Sequence, residues 1–470
     1  MAGILAAIRL REAGLHDVVI YEKADSYGGT WRENTYPGIA CDVPSHLYSY
    51  SFEPNPEWSH RFSPGEEIRR YFDAVAGRHR LEAVTRFGEE VVACRFVDGR
   101  WDLETAGGIH DVADVVIAAT GVLHHPNMPD IAGLESFRGA AFHSARWDHS
   151  VPIDGRRVGV VGTGSTAVQI TGAVVDRVAR LSLFQRTAQW IMPQQNPAYS
   201  EEQREEFRRD LEAVVRKRKE YSDIFTGAFA NSLVDAESAE MRMLEDACRA
   251  NLENSVKDPL LREKLRPTYR AACKRLVLSP NFYDAIQKPN ADLVVERIER
   301  VEPTGVRTAD GTLHELDVLV LATGFRVDQF VRPVQVLGRD GVDLDDVWAE
   351  GPIAYLSVAV PGFPNFFMLN GPNGPVGNFS LIDVAEAQMA YITQLIDVAR
   401  ADGRGISPTA EATARLEAER VEAARSTIWM TGCRSWYLDR RGIPATWPWT
   451  FDRFKAAMSG PVLEHYELTG

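Results

Sequence analysis

The sequence predicts an α/β protein that contains two Rossmann-like dinucleotide-binding units, with a helical segment inserted in the second. Three observations support this fold class. A complete strand–turn–helix–strand pattern spans residues 157–184, and half of a similar pattern spans the first 22 residues. Two further apolar runs, residues 115–121 and 318–324, both end in Ala-Thr-Gly, as expected of buried parallel strands that turn sharply beside a crevice.

The complete unit carries a G-x-G-x-x-A turn between a β-branched strand and an amphipathic helix. Such a turn lets the backbone approach a pyrophosphate, whose charge then lies at the helix N-terminus. An ordinary glycine-rich turn is the alternative, and the flanking strand and helix favour the nucleotide site. The turn consists of Gly162, Thr163, Gly164, Ser165, Thr166 and Ala167.

The first unit begins directly with a helical pattern and continues into a strand over residues 17–22. Gly3 and Glu22 are 19 residues apart, the spacing between the last fingerprint glycine and the acid that binds a ribose hydroxyl. A preceding strand and the first two glycines are absent, so we expect about ten residues to be missing ahead of Met1. Alternatively, Gly3 is only a flexible terminal residue.

Composition and net charge argue against several classes of function. The 470 residues carry a formal net charge of −14, which argues against non-specific binding of nucleic acid or anionic membranes. No apolar run is long enough to span a membrane. The five cysteines lack C-x-x-C spacing and a pairable framework, so we predict no disulfide scaffold, dithiol centre or metal site, and a cytoplasmic location.

Two multi-residue patterns flank these units. The segment from Gly29 to Asp42 reads G-x-W-x-x-x-x-Y-P-G-x-x-x-D, and the segment just ahead of the second unit reads F-x-G-x-x-x-H-x-x-x-W-D. Together they resemble the signatures of the Baeyer-Villiger monooxygenases, within the flavin-containing monooxygenase superfamily. The resemblance spans nearly the whole chain, including the Gly371–Pro375 loop and the Cys433–Tyr437 segment. The second pattern consists of Phe137, Gly139, His143, Trp147 and Asp148.

The resemblance implies that the first unit binds FAD and the second binds a nicotinamide nucleotide. After the strand at residues 181–184 the chain has Arg186 and no acid, which favours NADPH over NADH. Lys274 would join the 2′-phosphate site and Arg275 would face the flavin, held by Asp42. The other implied cofactor-binding residues are Gly3, Glu22, Gly29, Thr30, Trp31, Tyr48, residues 162–167, Gln169, Thr187 and Trp436.

Other interpretations of these residues stay open at this stage. Asp42 fits a turn or helix cap, Arg275 a surface arginine, and Trp436 either the core or a wall of the nicotinamide site. For His143 we expect structural coupling in a hinge rather than acid–base chemistry. Ahead of the Lys-Arg pair the chain has Arg270, Ala271 and Ala272, where the family usually has an aromatic residue and a glycine, so the local turn departs from the pattern.

The activity implied by the resemblance is insertion of one oxygen atom beside a ketone carbonyl, through a C4a-peroxyflavin, at the expense of NADPH and O2. The substrate would be a small ketone or another apolar molecule. Two alternatives are a sulfur- or nitrogen-oxidising flavin monooxygenase and a truncated, flavin-deficient nucleotide-binding protein. We expect residues 1–148 to begin the FAD domain, residues 149–328 to bind NADPH with a helical insertion at about 198–271, and residues 329–470 to return to the FAD domain.

Overall fold

The structure is a computed structural model and describes residues 1–469. The strands are β1 (Ile20–Glu22), β2 (Thr85–Phe87), β3 (Val91–Val97), β4 (Arg100–Thr105), β5 (His110–Ala113), β6 (Val116–Ala118), β7 (Ala140–His143), β8 (Arg157–Val161), β9 (Arg180–Phe184), β10 (Ile191–Pro193), β11 (Val277–Ser279), β12 (Ala291–Val294), β13 (Ile298–Glu302), β14 (Gly305–Thr308), β15 (Leu313–Glu315), β16 (Val318–Leu321), β17 (Gln335–Leu337), β18 (Phe366–Met368), β19 (Gly405–Pro408) and β20 (Tyr466–Thr469). The α-helices are α1 (Ala2–Glu12), α2 (Thr30–Glu33), α3 (Gly65–Arg78), α4 (Ser165–Val174), α5 (Glu201–Arg209), α6 (Leu211–Asp223), α7 (Ala239–Ser255), α8 (Pro259–Lys264), α9 (Phe282–Ile286), α10 (Leu344–Val347), α11 (Leu381–Asp402), α12 (Ala410–Ala424) and α13 (Phe451–Ala457).

The complete nucleotide unit forms a five-stranded parallel sheet in the order β12–β9–β8–β16–β7. Every residue of β16 is buried, as in a strand covered on both faces. Helix α4 follows β8 directly and buries Ala167, Val168 and Ile170 against this sheet. The predicted strand–turn–helix–strand arrangement is therefore present, with the turn at the carboxyl end of β8.

The first unit contains two separate parallel pairs, β1–β2 and β18–β6, which belong to different sheets. Helix α1 lies in the core between them and α11, with Leu5 fully buried. The helix and strand predicted at the start of the chain are both present. An antiparallel β3–β4–β5 sheet, extended by β17, lies beyond them.

The predicted helical insertion is formed by α5 to α8. Its inner side packs against the chain around residues 271–276 and 428–437, and these segments share one buried cluster. Cys273 and Cys433 are joined by a disulfide inside this cluster, so the expectation that the cysteines would not pair is wrong. The two residues are 160 positions apart, and only tertiary folding brings them together.

Within residues 1–469, no helix is long and apolar enough to cross a membrane. The same residues contain no group of three or more His, Cys, Asp or Glu side chains with the arrangement of a metal site. The predicted domain boundaries stay a prediction. At one of them, β7 pairs with β16 and so belongs to the second unit's sheet.

Candidate active site

The turn after β8 has the conformation that a nucleotide-binding turn needs. Gly162 has φ +123°, and a Cβ there would lie 2.3 Å from the carbonyl oxygen of Ala322, so only glycine fits. The Thr163 hydroxyl donates to the carbonyl oxygen of Thr187 at 2.7 Å, which ties this turn to the loop after β9. Helix α4 then begins without a side-chain cap, so its first amides are free to bind an anion.

Two cations converge beside this turn. Arg186 is exposed just after β9, and neither it nor Lys274 forms an ion pair with a carboxylate within the described part of the chain. Burial lowers the pKa of Lys274, and the positive charge of Arg186 lowers it further. The Lys274 ammonium also lies 4.9 Å from the ring centroid of Tyr269. Two like charges without acidic partners are a suitable site for a phosphate.

Gln169 lies at the contact between the two units. Its side-chain oxygen accepts a hydrogen bond from the Tyr36 hydroxyl at 2.9 Å, and its amide donates to the carbonyl oxygen of Ala40 at 3.0 Å. A Cβ on Gly38 would lie 2.6 Å from the backbone oxygen of Gln169. The Tyr-Pro-Gly loop is thus seated on α4, and Thr166 at the start of that helix also contacts the Tyr36 hydroxyl at 3.4 Å.

The residues predicted to line the flavin lie in the first unit. Gly29, with φ +51°, precedes α2, which starts at Thr30. The indole nitrogen of Trp31 donates to the Tyr48 hydroxyl at 3.4 Å, and their rings meet edge to face at 5.8 Å. Burial raises the pKa of Tyr48, so this hydroxyl stays protonated.

Glu22 and Gly3 mark the two ends of the predicted site for the adenosine ribose and the pyrophosphate. One carboxylate oxygen of Glu22, at the end of β1, accepts from the backbone amide of Ala24 at 3.0 Å and lies 3.5 Å from a guanidinium nitrogen of Arg32. A Cβ on Gly3 would meet Ala119 at an ordinary 3.7 Å. A side chain at position 3 would therefore not clash with the protein at its Cβ, and protein packing at that atom does not require glycine there.

Arg275 and Asp42 form the charged centre of the site. Nη2 of Arg275 donates to a carboxylate oxygen of Asp42, and Nη1 donates to the carbonyl oxygen of Gly377 at 2.5 Å. Burial alone would lower the pKa of Arg275, but the Asp42 carboxylate outweighs it and the net shift is upward. The two side chains are 27% and 26% exposed, so Arg275 is no free surface arginine and still has an open side.

Several buried side-chain amides have no hydrogen-bond partner in residues 1–469. Both polar atoms of the fully buried Asn378 are unpaired, as are Oδ1 of Asn370 and Nε2 of Gln388. An unpaired buried amide costs about 1–3 kcal/mol, so such groups are expected to meet a ligand or water. Asn378 directly follows Gly377, and its donors and acceptors suit the polar edge of a flavin. The residues present therefore fit FAD. Sequence reasoning missed these three, although it singled out the adjoining Gly371–Pro375 loop.

The aromatic pair near the C-terminus lies beside the same centre. Trp436 is 41% exposed and stacks on Tyr437 with 4.1 Å between ring centroids. It is therefore not a core residue, and its free face is available to a planar ligand. Tyr437 is buried, and its hydroxyl donates to the carbonyl oxygen of Gly377 at 3.4 Å.

The Phe137–Trp147 segment is joined to the sheet of the second unit through backbone contacts. Nδ1 of buried His143 accepts from the amide of Ala145, and Nε2 faces the carbonyl oxygen of Gly324 at 3.1 Å. Burial lowers the pKa of His143, so the neutral ring that these contacts require is favoured. Phe142 and Trp147 pack edge to face at 5.1 Å, and a Cβ on Gly139 would lie 2.4 Å from a backbone oxygen. This geometry suits structural coupling to the Ala-Thr-Gly end of β16.

Comparisons with known proteins show which family this chain resembles. Residues 1–224 match the family described as pyridine nucleotide-disulphide oxidoreductase. The chain is 48% identical to an uncharacterized monooxygenase of Mycobacterium bovis, with 96% of this chain and 90% of the relative covered. It is 40% identical to a Baeyer-Villiger monooxygenase of Streptomyces coelicolor, with 99% and 90% covered.

Solved structures give the same result. Cyclohexanone monooxygenase from Rhodococcus sp. Phi1 bound to NADP+ has a TM-score of 0.88 at 30% identity, covering 100% of this chain and 97% of that one. The complex of OTEMO with FAD and NADP has a TM-score of 0.89 at 27% identity, with the same coverage. The predicted fold class, with two dinucleotide-binding units, is confirmed.

Proposed function

Because this chain belongs to the Baeyer-Villiger monooxygenases, which are FAD- and NADPH-dependent, we propose that it converts a ketone and O2 into an ester or lactone and water. The predicted family and the predicted cofactors are confirmed by the comparisons. The observation that carries the proposal is the Arg275–Asp42 pair, placed where the two nucleotide-binding units meet the Gly377 loop.

The second unit supplies the NADPH site in this proposal. The turn at Gly162 and the free amides of α4 would hold the pyrophosphate. Arg186 and Lys274 would bind the 2′-phosphate, with Thr187 anchored to the turn through Thr163. Trp436 would cover the nicotinamide. These roles rest on the absence of carboxylate partners for the two cations within residues 1–469 and on the exposed face of Trp436.

The first unit supplies the FAD site. Glu22 would bind the adenosine ribose, and Gly29, Thr30, Trp31 and Tyr48 would line the flavin. FAD, once bound and reduced by NADPH, activates O2 so that one oxygen atom can be transferred and the other leaves as water. The protein's part is to orient the reactants and to exclude water from them.

Arg275 would stabilise negative charge on the oxygen that attacks the ketone carbonyl. A guanidinium suits this task because it stays protonated in proteins, and a fixed positive charge in a partly buried site stabilises a developing anion strongly. Asp42 would hold the guanidinium in place through the hydrogen bond from Nη2. Since the carboxylate is engaged in this pair, we assign Asp42 to positioning rather than to proton transfer.

Only the chemical class of the substrate is proposed. Two similar structures contain cyclohexanone or ε-caprolactone, a cyclic ketone and its lactone, in cyclohexanone monooxygenase. We infer that a small, largely apolar ketone is the substrate of this chain as well. The expected cytoplasmic location and domain boundaries remain predictions.

The test uses purified protein that has been supplied with FAD. The expected result is the blue absorption band of a bound flavin and ketone-stimulated oxidation of NADPH, with formation of an ester or lactone from a panel of cyclic and linear ketones. A protein that retains FAD and oxidises NADPH, but converts only sulfides or amines, would contradict the ketone assignment.

A further inference from the structure

The guanidinium of Arg275 donates hydrogen bonds to two groups, of which only Asp42 has a role in the proposed function. The second is the carbonyl oxygen of Gly377, which accepts from Nη1. That carbonyl oxygen also accepts from the hydroxyl of Tyr437, at 3.4 Å. One carbonyl oxygen of the Gly377 loop therefore accepts from both the Arg275 guanidinium and the Tyr437 phenol.

Tyr437 and the Gly377 loop fit each other closely. Gly377 has φ +91°, and a Cβ there would lie 2.3 Å from the Tyr437 hydroxyl oxygen. The ring of Tyr437 is in turn packed between Trp436, at 4.1 Å, and Trp429, at 5.4 Å. The hydroxyl thus has little room to move away from the carbonyl oxygen that it shares with Arg275.

The Cys273–Cys433 disulfide joins the two segments that carry these side chains. Cys273 lies two residues before Arg275, and Cys433 lies four residues before Tyr437. Even a fully extended chain of four residues spans no more than about 14 Å, so both tethers are short. The Cα atoms of the two cysteines are 6.1 Å apart inside the buried cluster that also contains Tyr437.

The remaining three cysteines are buried and free. Of five cysteines, the chain therefore pairs the two that flank the charged centre. Cytosolic proteins are mostly kept reduced, and the disulfides found there tend to be transient or redox-sensing. The state of this bond would then depend on the thiols that surround the protein.

We propose that Tyr437 is a positioning residue for Arg275, and that the Cys273–Cys433 disulfide keeps Tyr437 in place, which makes oxygen transfer sensitive to dithiols. This inference rests on the proposed role of Arg275. Reduction is a balanced exchange in which a dithiol transfers two electrons and two protons to the disulfide. Two cysteine thiols form, and the dithiol becomes a cyclic disulfide.

The first measurement is a thiol count on the unfolded protein. Without reductant, three reactive thiols are expected, from Cys41, Cys94 and Cys248, and five after treatment with dithiothreitol. Five thiols in protein purified without reductant would overturn the role of the disulfide.

The second measurement compares Tyr437→Phe with Tyr391→Phe, both loaded with FAD. Tyr391 is a matched control because it is also buried and its hydroxyl bonds Tyr466, in a core cluster separate from the one that contains Tyr437. For Tyr437→Phe we expect the share of consumed NADPH that ends as hydrogen peroxide to rise at least threefold, with a KM for NADPH within twofold of the parent. Tyr391→Phe should leave that share unchanged.

The third measurement uses the Cys273→Ser/Cys433→Ser double variant, with Cys248→Ser as control. In the double variant, the share of consumed NADPH that ends as hydrogen peroxide should rise as it does in Tyr437→Phe. Dithiothreitol should cause the same rise in the parent. It should cause no further rise in the double variant. If Arg275→Ala abolishes ester formation while Tyr437→Phe and the double variant remain as well coupled as the parent, this inference is wrong and the proposed function stands. If Arg275→Ala still forms ester at the parental rate, the proposed role of Arg275 itself is wrong.

Discussion

The guanidinium of Arg275 donates a hydrogen bond to the carboxylate of Asp42, a residue 233 positions earlier in the chain. Asp42 follows the Tyr-Pro-Gly loop that is seated on α4, and Arg275 follows the helical insertion of the second unit. The pair therefore connects the two nucleotide-binding units at a partly exposed point. A cation fixed in this way can act on a reaction that needs both cofactors.

The first prediction concerns coenzyme choice. Arg186→Ala removes one charge-assisted hydrogen bond to a 2′-phosphate, which is worth about 1.5–3 kcal/mol. The dissociation constant for NADPH should rise roughly ten- to a hundredfold, and that for NADH should barely change. Titration of both coenzymes into the parent and the variant measures this.

Arg180→Ala is the matched control for that prediction. Arg180 is the first residue of the same strand, β9, and Arg186 follows the other end of that strand. The Arg180 side chain pairs with Asp292. Arg180→Ala should leave the dissociation constants for NADPH and NADH unchanged. Equal losses of NADPH and NADH affinity in Arg186→Ala would show that Arg186 does not read the extra phosphate.

The second prediction concerns the turn before the Lys-Arg pair. Ala272 has φ +63°, in the left-handed region where a Cβ costs roughly 1–2 kcal/mol. Ala272→Gly removes this strain but adds flexibility to the unfolded chain, worth about 0.5–1 kcal/mol. We expect a small net gain, visible as a higher melting temperature. The adjacent Ala271→Gly, with no left-handed backbone to relieve, should lower it.

These two sites show what the sequence could predict. The nucleotide turn was predicted because the glycines, the strand and the helix that define it are contiguous. The departure at Ala271 and Ala272 was visible too, yet nothing in the sequence indicates that Ala272 adopts the left-handed conformation without a glycine.

Other features depend on residues that are distant in the chain. The Cys273–Cys433 disulfide has no local signature, because its partners are brought together by the packing of the helical insertion on the C-terminal segment. The unpaired amide of Asn378 was missed for the same reason, since burial and the absence of partners are properties of the fold. Arg275 and Asp42 were named through the family resemblance and not through their spacing.

The third prediction concerns pH and stability. His46 is buried among Tyr199, Phe207 and Tyr221, and neither ring nitrogen has a hydrogen-bond partner within residues 1–469. Burial lowers the pKa of His46 to about 4, from 6.5. The folded state therefore favours the neutral ring. This stabilisation is present above about pH 6.5 and is lost as the pH falls towards 4, by up to about 3 kcal/mol.

The test is the change in unfolding free energy between pH 7 and pH 4.5, compared for the parent and His46→Phe. The variant should lose less stability on acidification, because phenylalanine keeps the aromatic packing without a titrating group. Burial raises the pKa of Asp383 to about 6, which acts in the opposite direction and is common to both proteins. The exposed His110→Phe serves as control, and a parental pH profile in His46→Phe would refute the assignment.

The central claim is that Arg275 serves oxygen transfer and not folding. The most direct measurement supplies the parent and Arg275→Ala with FAD, NADPH, a ketone and 18O2, and follows the ester or lactone by mass spectrometry. The parent should form a product carrying one 18O atom. Arg275→Ala should keep its FAD and a melting temperature close to the parent's, oxidise NADPH to yield hydrogen peroxide, and form at least a hundredfold less labelled product, a loss of about 2.7 kcal/mol or more in transition-state stabilisation. Labelled ester formed by Arg275→Ala at the parental rate would contradict the account.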